Sequence, residues 1–147
     1  MPTKLTTYLI PLKQGLIEIK GPDSAKFLQG QVSCDVRELA ENTTRLGAQC
    51  NIKGRMLLCF RAIQPENERI ILRAHAGLVA NGLASLGKYI VFSKAKLADV
   101  SQSYSCFGLA GTQAAEIIKN VFTLEITQND GWQAAGWILG GGAVQGY

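Results

Sequence analysis

The sequence predicts an α+β fold, a mostly antiparallel sheet with helices packed on one face. Three observations lead there. Between residues 43 and 74, short apolar stretches are separated by turn-forming residues. Residues 76–89 switch to helical spacing. A strand-then-helix order occurs at 16–30 and again at 105–122.

The first strand is "LIEIK", Leu16–Lys20, where apolar and polar residues alternate as on a half-buried strand. "GPDS" breaks it, and Asp23 or Ser24 opens a short helix that Gly30 and β-branched Val32 weaken. "CDVRELAENTT" reads as a loop with one helical turn, in which the Asp35 side chain caps through the amide of Glu38. Thr43–Asn51 and Arg55–Gln64 form the two arms of a hairpin, with "PENE", Pro65–Glu68, turning the chain again. "RIILRA", Arg69–Ala74, completes a three-stranded meander. The following helix, about Ala76–Tyr89, carries Leu78, Val79, Leu83 and Leu86 near one face, and "VFSKAKLADV" returns as a strand ending near Val100. A second unit begins near Ser105: "CFGLAG" is a strand and "TQAAEIIKNVF" a helix capped by Thr112. One or two strands are expected within 131–147. The expected domains are 1–102 and an incomplete second copy, 103–147.

Composition limits the function classes. The chain has 147 residues with 47% hydrophobic and 18% charged, which fits a globular protein with a real core and argues against disorder. No apolar run approaches the ~18 residues of a membrane span, and the start "MPTKLTTYLIPLKQG" lacks the pattern of a signal peptide. A cytoplasmic location and no membrane partner are expected. The net charge of +4 suits an anionic small molecule or weak nucleic-acid contact, but no basic run is dense enough to predict an RNA-binding face by itself. Cys34, Cys50, Cys59 and Cys106 have no CxxC spacing, and His75 is the one histidine, so no metal site is expected.

Several motifs are weak on chemical grounds. Gly140-Gly141-Gly142 lacks the GxGxxG spacing, a following helix and a Walker lysine, and reads as a flexible end or loop. Cys34 sits beside Asp35, whose charge raises a thiol pKa, so a structural role is expected. His75, at a strand-to-helix junction, is better placed to contact a ligand than to act as a catalytic base. The hairpin tip is the strongest candidate. Lys53 and Arg55 flank Gly54, and Arg61, Arg69 and Arg73 fall on the same meander. Alternation puts Arg69 with Arg73, and Arg55 with Arg61, on common faces. Such a basic face could hold a carboxylate-bearing ligand, the plainer alternative being a solvated sheet face.

Four blocks, "IEIKGPDSAKFLQGQVSCDVREL", "QCNIKGRM", "LGKYIVFSKAKLAD" and "FGLAGTQA", come in the order and spacing of the YgfZ family. These are folate-binding proteins related to the T-protein (aminomethyltransferase) of the glycine cleavage system. The resemblance runs from about Tyr8 to about Phe122. It implies a fold of duplicated βα subdomains that binds tetrahydrofolate and supports iron–sulfur enzymes, including those that modify tRNA. In the aminomethyltransferases the matching hairpin reads roughly Gly-Gly-x-x-Asp-Asp. Here the acidic pair falls on Leu57 and Leu58, which can neither take a proton nor orient an ammonium, so no catalytic residue and no aminomethyl transfer are expected. A later Lys-Gly-Cys-Tyr/Phe-x-Gly-Gln-Glu signature of the YgfZ family is absent, so its cysteine cannot be carried over to any cysteine here. The family is also about twice this length, so the chain reads as an N-terminal part or a truncated relative. A cut duplicated fold exposes apolar surface, which predicts self-association.

A pterin needs a flat apolar slot with paired donors and acceptors, and its glutamate tail needs cations. The expected folate-binding residues are Gln49 and Asn51 for the ring, Lys53, Arg55 and Arg73 for the carboxylates, and His75 beside them. Two alternatives stand: a folate-dependent aminomethyltransferase, and an RNA-binding module using the basic meander.

Overall fold

The computed structural model describes residues 6–40, 43–122, 137–140 and 143–146. In chain order the elements are β1 (Thr7–Pro11), β2 (Gln14–Lys20), α1 (Ser24–Gln29), β3 (Thr44–Cys50), β4 (Met56–Glu66), β5 (Arg69–His75), α2 (Val79–Gly87), β6 (Lys96–Asp99), β7 (Phe107–Gly111), α3 (Ala114–Phe122), β8 (Trp137–Gly140) and β9 (Ala143–Gly146). The chain divides into two compact units, 13–104 and the pair of segments 6–12 with 105–146.

The first unit holds a five-stranded antiparallel sheet in the order β3-β4-β5-β2-β6. β2 sits between β5 and β6, so the strand earliest in the chain is central. Its sequence shows why: Leu16, Ile17 and Ile19 are all buried. The inner face carries Ile17, Ile19, Leu58, Phe60, Ala62, Ile70, Leu72 and Ala74, in one core cluster with Phe27 and Leu28 of α1 and Val79 and Leu86 of α2. Both helices therefore cover the same face, as the sequence predicts. Gly82 lets α2 approach closely: a Cβ there would stand 2.9 Å from Ile17 Cδ1 and 3.0 Å from Leu58 Cδ2.

Several boundaries differ from the sequence reading. β4 continues through Pro65 to Glu66, with an irregular register between Ile63 and Glu66 that accommodates the proline. The turn is therefore Asn67-Glu68, and Glu68 takes a positive φ of 59°. The expected helix 76–89 is α2 flanked by single 3₁₀ turns at Ala76–Leu78 and Ile90–Phe92. The returning strand shortens to β6, because Ile90–Phe92 is helical and Lys94 donates its backbone amide to Asp23 Oδ2 at 2.8 Å. That bond also explains why the Asp23 carboxylate does not cap α1.

In the second unit β1 pairs antiparallel with β7, and β8 with β9. The strand β1, unassigned from sequence, finds its partner about a hundred residues away. Gly140 ends β8, while Gly141, Gly142 and the 131–136 part of the expected terminal strands lie outside the described residues.

One device appears in both units. β2 ends at Gly21 and β7 ends in Gly111, each just before the turn into a helix, with φ of 137° and 138°. A Cβ at Gly21 would lie 2.4 Å from the Lys94 carbonyl oxygen, and at Gly111 2.5 Å from that of Thr6. Conformation and space both demand glycine. The repeated strand-to-helix order thus has a shared local geometry.

Candidate functional site: the hairpin tip and the outer sheet face

The tip between β3 and β4 is built by Asn51. Its Oδ1 accepts from the backbone amides of Lys53 (2.9 Å) and Arg55 (3.0 Å). The backbone closes the same turn, with Asn51 N–H donating to Arg55 O and Gly54 N–H to Asn51 O, each at 2.9 Å. Gly54 supplies the positive φ of 73°. Lys53 and Arg55 stand exposed on this turn, and neither side chain has a hydrogen-bond or ion-pair partner among the described residues. Ile52 between them is almost wholly exposed. Leu57 and Leu58 follow, and Leu58 is fully buried beneath α2.

Gln49 lies on the inner face, 3% exposed, opposite Leu58. Its Nε2 donates to Ser85 Oγ on α2 at 3.0 Å, while its Oε1 is buried without a partner among the described residues. Burying an amide oxygen unpaired is costly.

Arg73 faces the other way. It sits on β5 directly opposite Arg61 of β4 and Leu16 of β2, half-buried on the outer face. Arg61 donates from Nη1 to Thr44 Oγ1 at 2.8 Å. Arg69 shares this face but is engaged: its Nε donates to Glu18 Oε2 at 2.6 Å, its Nη2 to the Tyr104 hydroxyl at 2.9 Å, and its Nη1 lies 3.5 Å from Glu66 Oε1. Burial works against the Arg69 charge, but the bonds to Glu18 and Tyr104 outweigh it and hold the guanidinium above its ordinary pKa. His75 is exposed at the end of β5, where its Nδ1 accepts from the Gly77 amide at 3.2 Å and caps the 3₁₀ turn.

The structure thus separates the sequence-predicted residues. Lys53 and Arg55 share the tip with Asn51, whose side-chain oxygen is committed to the turn itself. Arg73 and His75 lie on the outer face, and Gln49 lies on the inner one. Because strand residues alternate, no single slot on one side of the sheet takes both Gln49 and Arg73. Ser85, the partner of Gln49, gives no sequence signal, and Glu18 shows only as the polar position inside "LIEIK".

The remaining candidates are structural. Asp35 accepts from the backbone amide of Arg37, not from Glu38 as the spacing suggests, and also pairs with the Arg37 guanidinium at 2.7 Å. That guanidinium, and the backbone bond beside it, hold its carboxyl below the ordinary range. Burial, with Asp35 adding to it, pushes the Cys34 thiol up, which disfavours the nucleophilic thiolate. Among the described residues no three histidine, cysteine, aspartate or glutamate side chains cluster to hold a metal, and no helix is long and apolar enough to cross a membrane.

Comparison with known proteins follows the geometry. Residues 13–135 match the family model described as the GCVT N-terminal domain. The chain is 35% identical over 118 residues to the tRNA-modifying protein YgfZ of Colwellia psychrerythraea, covering 80% of this chain and 36% of that protein. It is 39% identical over 108 residues to the protein of the same name from Hamiltonella defensa, covering 74% and 32%, and 38% identical over 128 residues to that of Cronobacter sakazakii, covering 86% and 38%. The chain therefore spans about a third of the length of these curated relatives. The crystal structure of the glycine cleavage system aminomethyltransferase T from Bartonella henselae superposes with a TM-score of 0.72 over 80% of this chain and 32% of that one, at 22% identity, a likeness of fold.

Proposed function

This chain belongs to the family of the GCVT N-terminal domain, and from that premise we propose that it binds a tetrahydrofolate and serves tRNA modification without transferring an aminomethyl group. Iron–sulfur enzymes that modify tRNA are the clients this reading assigns to it. The observation that carries it is the hairpin. A preset tip offers two cations with unspent donors, Lys53 and Arg55, and the strand leaving the tip carries Leu57 and Leu58.

The donor set fits the acidic end of a folate. Lys53 and Arg55 suit the carboxylates of a glutamate tail, with Arg73 on the outer face as a further cation. For the ring, the buried Gln49 Oε1 is an acceptor in want of an N–H. A folate would supply the one-carbon carrier, and this chain would orient it. Leu58 is fully buried among aliphatic side chains and has no proton to hold or move, which is why binding is proposed and transfer is not.

Calorimetric titration with 5-formyltetrahydrofolate tests the reading. Saturable binding by the full chain is expected, weakened about tenfold in the Lys53→Ala, Arg55→Ala double variant, the scale of losing a charge-assisted bond. An absence of binding by the unaltered chain at millimolar ligand overturns it. Arg73→Ala should also weaken binding without unfolding the protein, and an unchanged affinity removes Arg73 from the site.

A further inference from the structure

We propose that Arg61 and Arg73 together form a seat for one compact oxyanion, a carboxylate or phosphoryl group of a small molecule, on the outer face of the sheet. The inference stands apart from the folate reading, since it concerns the anion that two arginines select.

Register carries the argument. Arg61 and Arg73 are direct cross-strand partners, in a row that runs Leu46, Arg61, Arg73, Leu16 across four strands. Like charges placed opposite each other on one face disfavour the sheet. A pair kept there needs a reason, and a shared anion supplies one. Arg61 is held at one end by Thr44 Oγ1, and no other hydrogen bond of its guanidinium is found among the described residues. A guanidinium has five N–H donors in a planar fork, so a fork remains for a ligand.

The surroundings set the class of ligand. Both arginines are half-buried, and Leu16 beside them and Ile63 and Ile71 in the next row are buried. Charge-assisted bonds made there are stronger than at an open surface. On the next rows Glu18 and Glu66 are already engaged by Arg69. Lys20 and Lys96 are cross-strand neighbours on β2 and β6, beyond that neutralised pair. On the other side only Cys59 and His75 follow on the same face. Two cations converge, and the stripe is then interrupted. That pattern suits one compact anion and not the repeated phosphates of an RNA strand, which need a continuous track of cations.

The test titrates the full chain with inorganic phosphate and, separately, with glutarate, each against sodium chloride of equal ionic strength. Arginine Nε–Hε signals in the nitrogen-edited NMR spectrum and the melting temperature are the readouts. Two arginine signals should shift saturably with at least one oxyanion, and the melting temperature should rise above the chloride control. A stronger response to glutarate identifies a carboxylate seat; a stronger response to phosphate identifies a phosphoryl seat. Arg61→Gln should weaken the response about tenfold or more, whereas Lys96→Ala should leave it unchanged. Equal effects of oxyanion and chloride, or no shifted arginine signal in the unaltered chain, overturn the proposal without any variant needing to fold. Unchanged affinity in Arg61→Gln overturns it too. Binding of 5-formyltetrahydrofolate is scored separately, so either reading can fail alone.

Discussion

The two faces of the five-stranded sheet come from the same strands, residue by alternate residue, and have opposite characters. The inner face is aliphatic and aromatic, sealed by α1 and α2, with Gln49 as its one polar intrusion from β3. The outer face carries Glu18, Lys20, Arg61, Arg69 and Arg73 among buried Leu16, Ile63 and Ile71. The contrast teaches that one strand can serve stability and recognition at once, because a period of two keeps the two roles on separate sides. It also explains why charge in the outer rows does not spoil the fold.

Substitutions can break or sharpen that division. The largest effect is expected from Phe60→Ala on the inner face, which should lower stability by about 3–5 kcal/mol in urea denaturation, since the ring is enclosed and its space cannot collapse freely. A near-neutral result would mean that the inner face is not the core. Gly47→Ala should cost about 1–3 kcal/mol by overpacking, because a Cβ there would stand 2.6 Å from Cys34 Sγ and 2.9 Å from the Phe60 ring. On the outer face, Glu18→Ala strips Arg69 of its shortest bond. Tyr104 and Glu66 remain as acceptors, so the loss should stay near 1–2 kcal/mol. A loss matching that of Phe60→Ala would erase the distinction between the faces.

The smallest effect lies at the end of the edge strand β6. Asp99 accepts from the Ser101 hydroxyl and amide, and Ser101 Oγ in turn accepts from the Leu16 amide at 3.0 Å. The Ser101 hydroxyl, and then its amide, hold the Asp99 carboxyl below its ordinary pKa. The carboxylate therefore adds stability at neutral pH, and that contribution is lost as pH falls through the depressed value. Asp99→Asn should cost under about 1 kcal/mol at pH 7, with the gap to the unaltered chain closing in acid. A gap that widens on acidification would refute the sign.

The sequence made the meander legible because its information is local. Alternation in "RIILRA" and the turn formers at 51–54 and 65–68 need no distant partner. The core followed, since Ile17, Ile19, Ile70 and Leu72 occupy the alternate positions of their strands. Long-range pairing stayed hidden. Nothing near Thr7–Pro11 announces a partner at Phe107–Gly111, and the placing of β2 between β5 and β6 is a property of the whole sheet. The candidate site divided in the same way. Lys53, Asn51 and Arg55 were readable as a tip. The sides taken by Gln49 and Arg73 were not, because they depend on register across strands. The capture of Arg69 by Glu18 and Tyr104, from 51 and 35 residues away, was equally out of reach.

One oxygen atom has an influence beyond its size. Asn51 Oδ1 fixes the amides on either side of Gly54, and so sets where both tip cations begin. The loop loses little freedom when it meets an anion, because that freedom was surrendered on folding. Asn51 can thus govern the strength and speed of capture without touching what is captured, and replacing it by alanine should leave both charges in place while making them slower to converge.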